Sequence, residues 1–348
     1  MTQISRSAFL KATAATALTG LLAACSTGAK NQENGSSATE SLTANTYFVT
    51  HAFGRTRFDS VPQKIAVVNY WKNPDALLAL GIVPAGVPTV SYGANDQGST
   101  DWFDQALAEL GGDAPVRYDE TDGPDYEALA TLAPDAIFSA YGDMTQEVYD
   151  RLSAIAPVVA MPEGVGAFAT SWEDTIRQAA AMLNVPSQGD QIIKTYQEEI
   201  SAAAAQHPNL AGKTFVAGMF NLDAQSLSAY VASDSRSLFL TSLGMEIAPY
   251  IKDNASDQDA FFMSISGELV NQVESDLVWA WGTSDEDAEK IRANSLFSQM
   301  PAVARGALVV ETNPAISLAL SAASPLSLSW VLRETQVLEQ LNQAVSAS

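Results

Sequence analysis

Cysteine is almost absent from this chain of 348 residues: there is one, Cys25. No disulfide can close within the chain. With only two histidines, His51 and His207, little remains for a thiolate or imidazole metal site. Basic residues are scarce too. Eighteen Lys and Arg stand against forty Asp and Glu, a formal net charge of −22. That balance argues against nucleic acid or an anionic bilayer surface as a direct partner. No G-x-S-x-G elbow occurs, so a serine hydrolase lacks its usual nucleophile turn. What the chain does have is apolar content, at 47%, ample for large cores.

The lone cysteine is informative by position. Residues 1–24 carry Arg6 and Lys11, then an apolar, Ala-rich run without an acidic residue. This is the pattern of a secretory signal, too short for a spanning helix. Its end, Leu22-Ala23-Ala24-Cys25, is similar to the lipobox of bacterial lipoproteins. That resemblance implies cleavage before Cys25, acylation of its thiol and anchorage to the cell membrane by buried acyl chains. Residues 25–45, rich in Ser, Asn, Thr and Gly, cannot bury a core and read as a tether.

The longest regular stretch is Ser187–Gln206. Ile192, Ile193, Tyr196, Ile200 and Ala203 recur at helical spacing, and His207-Pro208 ends the run. Ser187, with Asp190 three residues on, reads as its N-cap. On either side, short apolar runs alternate with helical segments, which predicts mainly parallel sheets. The expected fold is α/β: two Rossmann-like lobes joined by one long helix, with a ligand cleft between them. The expected boundaries are 46–170 for the first lobe, 171–206 for connecting helices with the strut at 187–206, and 207–348 for the second lobe.

In such sheets ligands lie beyond the carboxyl ends of the strands. Tyr70 and Trp71 follow the apolar run Ile65–Asn69, and Tyr141 follows Ala136–Ala140. Arg117 lies near another strand end. In the second lobe the corresponding positions are Phe220, Tyr230 and Trp281. Arg236 falls in the first turn of a helix that starts at Asp234, where a cation opposes the helix dipole. It therefore calls for another partner, a ligand or a cleft carboxylate. Ring faces with a few cations suit a bulky ligand that has an apolar body and polar groups.

Two segments echo one another. Asp125-Tyr126-Glu127 through Asp135-Ala136-Ile137-Phe138 resembles Ser266-Gly267-Glu268 through Asp276-Leu277-Val278-Trp279. Each has a capping residue, a Glu two residues on, an apolar stretch, and an Asp before a strand. Glu127 and Glu268 thus take matched places on the two lobes.

From Thr46 onward the chain resembles the substrate-binding lipoproteins of bacterial iron–siderophore ABC importers, the class whose lobes share a single long helix. The carrying segments include THAFGRT, PQKIAVVNYWKNPDALLALGIVPAGV, DYEALATLAPDAIFSA, SWEDTIRQAAAMLNV and SPLSLSWVL. The resemblance implies capture of a ferric siderophore outside the cytoplasm and delivery to a membrane permease, by a monomer with no catalytic residue and no resident cofactor. It implies docking through Glu127 and Glu268, and ligand contact by Trp71 and Tyr141. Few cations lie near the strand ends (Lys72, Arg117 and Arg236), so a hydroxamate or mixed chelate of low charge is expected. Haem or cobalamin are the alternatives within the class. An extracytoplasmic hydrolase, or a surface sensor that signals through a partner, are the alternatives outside it.

Overall fold

The chain enters the fold through a hairpin. In the computed structural model, which describes residues 45–256 and 261–346, β1 (Tyr47–His51) pairs antiparallel with β2 (Gly54–Phe58). Gly54, at φ 112°, supplies the backbone geometry that opens β2. The expected signal peptide, Cys25 and the tether up to residue 44 lie outside the described residues.

The first lobe runs β3 (Ile65–Val67), α1 (Asn73–Ala79), β4 (Gly86–Pro88), α2 (Asp101–Leu110), β5 (Val116–Tyr118), α3 (Tyr126–Leu132), β6 (Ala136–Ser139), α4 (Gln146–Ser153) and β7 (Val158–Ala160). Its five strands form an all-parallel sheet in the order β5-β4-β3-β6-β7. Both faces are covered: Ile65 and Val67 enter one apolar cluster, Ala66 and Val68 another. This is why the strands read as continuous apolar runs rather than alternating ones. Helix starts follow side-chain caps, with Thr100, Asp125 and Thr145 each accepting from the backbone N–H three residues on.

Two helices lead out, α5 (Trp172–Met182) and α6 (Pro186–Gln206). At 21 residues, α6 is roughly 30 Å long. Its N-cap lies two residues earlier than Ser187 suggested. Pro186 takes the first helical position, where its fixed φ fits and its missing N–H costs nothing, so Val185 is the N-cap and the Ser187–Asp190 box does not form. Gly189 faces Ala180 so closely that a Cβ there would come within 2.6 Å of the Ala180 methyl, which lets α5 and α6 lie tight together.

The second lobe runs β8 (Thr214–Asn221), β9 (Ser226–Tyr230), α7 (Ser235–Ser242), β10 (Glu246–Ile247), α8 (Pro249–Asn254), β11 (Phe262–Ser266), β12 (Leu277–Trp281), α9 (Asp287–Ala293), α10 (Pro301–Ala304), β13 (Leu308–Glu311), α11 (Pro314–Ala322), α12 (Pro325–Glu334) and α13 (Val337–Ser346). Its sheet has the order β11-β9-β8-β12-β13, with β10 beside the start of β8. It is mixed, because β9 runs antiparallel to both β8 and β11. The reversal is a tight turn in which Ala224 N–H bonds Asn221 Oδ1 at 2.8 Å and Gln225 adopts φ 49°. The chain closes on two helices, α12 and α13, rather than one. Thr335 is extended between them, with its hydroxyl donating to Val331 O at 2.7 Å.

The echo between the lobes has a structural basis. Asp135 accepts from Gln63 N and Lys64 N at 2.9 and 2.8 Å, just ahead of β3. Asp276 accepts from Thr214 N and Thr214 Oγ1 at 2.8 and 2.9 Å, at the start of β8. Each Asp ties one central strand to the strand that follows its own turn. The helix of the echo is less alike. The Glu268 segment, Gly267–Gln272, is a 3-10 turn, and Ser266 makes no side-chain cap.

The lobes share one core. Val67 and Leu77 of the first join Phe215 and Trp279 of the second, with Ile193 and Ile200 of α6 between them. Helix α12, near the far end of the chain, packs on α1, α2 and α6. Its Trp330 meets Trp102 at 5.4 Å between ring centroids.

Candidate functional site

In the first sheet the chain steps from β3 to one side, then crosses to β6 on the other. The crevice beyond these two strand ends is the place where α/β sheets take ligands. Trp71 and Tyr141 stand there, and Asn73 ties the Tyr141 backbone to the end of β3. Its side chain, fully buried, donates to Val68 O at 2.9 Å and to Tyr141 O at 2.8 Å. It also accepts from Tyr141 N at 2.9 Å. Asn69, at φ 68°, turns the chain, and its Oδ1 accepts from Trp71 N at 3.1 Å. The two aromatics are therefore fixed at the backbone.

Opposite them, α7 begins with Asp234 as N-cap and Arg236 in its first turn. Both carboxylate oxygens of Asp234 engage the guanidinium: Arg236 Nε to Oδ1 at 2.7 Å and Nη2 to Oδ2 at 2.6 Å. The guanidinium lies 3.5 Å over the Tyr230 ring. Trp281 stands edge-on to Tyr230 at 6.0 Å. Burial alone would depress the Arg236 pKa, but the hydrogen bonds and charge of Asp234 outweigh it and the pKa is raised.

Trp71, Tyr141, Phe168, Phe261, Asp234 and Arg236 line a cavity of ≈ 380 Å³ between the lobes. Beyond Phe168 and Ala169 a second chamber of ≈ 440 Å³ continues toward Gln197 and Ile200 of α6. Lys72 borders this chamber. It is 3% exposed, donates to Thr170 O at 3.3 Å and lies 4.2 Å from the Tyr141 ring centroid. Burial pulls its pKa down to about 7, against the attraction of Glu173 and Asp234.

Of the residues expected from the sequence, the structure thus brings Trp71, Tyr141 and Arg236 together on one cavity. Tyr230 and Trp281 lie behind Arg236, nearly buried, as its supporting wall. Tyr70 stacks on Trp71 at 5.7 Å and lines a narrow crevice with Arg117. Arg117 is a strand residue of β5 and is engaged by the protein: Nη2 donates to Ser99 Oγ at 2.5 Å and Nη1 to Pro88 O at 3.4 Å. Phe220 is a correction. The pleat of β8 sends Phe215 and Ala217 to the shared core and Phe220 to the opposite face, where it packs on Phe297 at 4.8 Å.

Asp234, Phe168, Phe261 and Ser321 were not singled out from the sequence. In the sequence Asp234 marks only the start of a helix, and the others come from three separate segments without a motif. Glu127 and Glu268 are exposed, away from the cavity lining, and neither has an ion pair among the described residues. On the first lobe, Glu120 accepts from Asn69 N at 2.8 Å beside a recess of ≈ 280 Å³, and burial pushes its carboxyl up to about 7. Among the described residues no group of three His, Cys, Asp or Glu could hold a metal ion.

A family model described as periplasmic binding protein matches residues 66–314. The chain belongs to that family. PiaA of Streptococcus pneumoniae TIGR4, solved in complex with ferrichrome, is 31% identical, with a TM-score of 0.77 over 86% of this chain and 99% of that one. A second structure of PiaA, described as an iron uptake ABC transporter substrate-binding protein, gives 30% identity and a TM-score of 0.73 over 87% of this chain and 100% of that one. The "Probable siderophore-binding lipoprotein YfiY" of Bacillus subtilis (strain 168) is 32% identical over 183 residues. That match spans about half of each chain, 52% of both.

Proposed function

We propose that this chain binds a ferric siderophore outside the cytoplasm and delivers it to the permease of an ABC importer. The observation that carries the reading is the cavity between the lobes, with Trp71, Tyr141, Phe168 and Phe261 around a single cation, Arg236. Flat rings around a polar anchor suit a metal chelate with an apolar rim and outward oxygens. Likeness to a ferrichrome-bound protein supports the same cargo class. A hydroxamate or mixed chelate of low charge fits best, because the nearby cations are already engaged. Iron enters as part of the cargo, and the protein keeps no cofactor of its own.

Glu127 and Glu268 serve as the permease contacts, one exposed carboxylate on each lobe. Cys25 carries the lipid anchor, which holds the protein at the outer side of the cell membrane. The role is binding rather than catalysis. His51 is 1% exposed and bonds Thr56 Oγ1 at 2.8 Å, while the Thr56 hydroxyl is spent on Val158 O. No substrate reaches that pair.

Fluorescence titration of the chain lacking residues 1–25 tests the proposal. Ferric hydroxamates are expected to quench the tryptophans saturably. Saturable binding of haem or cobalamin, with no response to any ferric siderophore, would overturn it.

A further inference from the structure

Of the residues lining the cavity, Arg236 is the one cation and Asp234 the one anion. They form a two-pronged pair at 2.7 and 2.6 Å, with side chains 16% and 3% exposed. Asp234 is held in place twice over, since its Oδ1 also accepts from Arg236 N at 2.9 Å at the start of α7. The guanidinium is fixed from two further sides, by the Tyr230 ring at 3.5 Å and by Ser321 Oγ at 3.4 Å from Nη1. Arg236 therefore cannot swing away from its counterion without losing the stacking contact. It can offer N–H groups to a ligand oxygen, but the pair as a whole carries no net charge.

The other two cations near the strand ends do not compensate. Arg117 is committed to Ser99 Oγ and Pro88 O, with Asp104 4.0 Å away. Lys72 faces the rear chamber from beneath the Tyr141 ring.

We propose that Asp234 is the charge selector of this cleft: by neutralising Arg236 from within, it favours an uncharged ferric chelate and rejects an anionic one. The inference rests on the reading of the cavity as a ferric-chelate site and adds the residue that sets its preference. An uncharged chelate gains hydrogen bonds from Arg236 and meets no opposing field. An anionic chelate meets the carboxylate together with the guanidinium, in a site where water screens poorly. Asp234 acts through Arg236, and is a positioning residue in that sense.

The test compares two probes, a neutral ferric tris-hydroxamate and a trianionic ferric tris-catecholate, on the full chain. Tryptophan quenching gives both dissociation constants, and their ratio is the readout. Asp234→Asn keeps an oxygen for the helix cap but removes the charge. It is expected to shift the ratio toward the catecholate by about tenfold or more, the effect of one poorly screened charge. Catecholate binding by this variant should weaken as salt rises, because a net charge is now exposed to the ligand. Arg236→Gln alone should shift the ratio the other way, and Asp234→Asn with Arg236→Gln should abolish the gain. Arg236→Gln also reads the proposal independently of whether the asparagine variant folds. An unaltered chain that binds the hydroxamate, with a ratio that moves in none of the variants, overturns the inference alone. An unaltered chain that binds neither probe overturns the functional reading, and this inference with it.

Discussion

Asp75→Asn is expected to change sign in its effect on stability as pH rises. Asp75 lies in the first turn of α1 and is 3% exposed. It accepts from Trp102 Nε1 of α2 at 2.8 Å and from the hydroxyl of Ser324, the N-cap of α12. One carboxyl thus joins the first lobe to a helix from the far end of the chain. Burial pushes its pKa from 3.8 up to about 7, and the Ser324 and Trp102 bonds pull only part of the way back. A carboxyl raised in the folded state stabilises most below its unfolded pKa and loses that contribution as pH climbs through the folded value. Here the window runs from about 4 to about 7. The slope is at most ~1.4 kcal/mol per pH unit, so pH 5 to 7 costs on the order of 3 kcal/mol at most. Asparagine has no such slope. At pH 5 the variant should be less stable by about 1 kcal/mol. Trp102 and Ser324 both donate to Oδ2, whose place the amide oxygen can take, but the NH2 then replaces Oδ1, which has no hydrogen-bond partner among the described residues, inside the protein. At pH 8 it should be the more stable protein. Urea unfolding of both proteins at four pH values measures the difference directly. Glu120 and Glu311, which burial also raises, titrate alike in both and cancel. A difference that stays flat from pH 5 to 8 would refute the assignment of a raised, buried carboxyl at this position.

Three further outcomes are expected. Trp71→Ala and Tyr141→Ala should each weaken chelate binding by roughly 10–100-fold, the scale of a buried aromatic anchor, and equal titration curves for both variants and the unaltered chain would remove them from the site. Reversing both charges, Glu127→Arg with Glu268→Arg, should abolish import in cells while in vitro chelate affinity holds. A drop in affinity instead would tie those carboxylates to ligand binding. Asp276→Ala should destabilise the second lobe by about 1–3 kcal/mol through the lost bonds to Thr214, read as a lower urea midpoint with an unchanged slope.

Much of the fold is legible because local signals agree with the tertiary outcome. Ala136–Phe138 is an apolar run between the polar Asp135 and Ser139, and it forms the body of the strand Ala136–Ser139. Ser324 and Pro325 fix a helix start that the structure completes with a reciprocal bond to Ser327. Where two local signals compete, the sequence misleads. Ser187 is a good cap, yet the proline before it is a better first residue, and the helix takes the proline. The reversal at β9 has no Asn-Gly or Gly-Gly to mark it. Its turn relies on an Asn221 side chain and a left-handed glutamine, both unremarkable in a one-dimensional reading. The break at Thr335 is hidden for a similar reason: apolar spacing runs through it on both sides, and only the packing of α12 across the lobes shows why one straight helix would not serve.

The cleft is legible in its aromatics and opaque in its charge. Trp71 and Tyr141 follow from strand ends, a rule that needs only the order of the chain. The state of the cations does not. A count of Lys72, Arg117 and Arg236 along the sequence says that cations are few, not how each is engaged. The structure removes each by a different route: Lys72 by burial, Arg117 by Ser99, Pro88 and the nearby Asp104, and Arg236 by the carboxylate two residues before it. An Asp at a helix cap and an Arg in the following turn are each explained locally, so nothing in the string of letters says that they face one another across the same edge of a cavity. The low-charge cargo proposed for this cleft therefore follows less from how few basic residues there are than from how completely the fold satisfies them. A preference of that origin turns on a single carboxylate, whereas one set by the whole surface, at −22, would barely notice its loss.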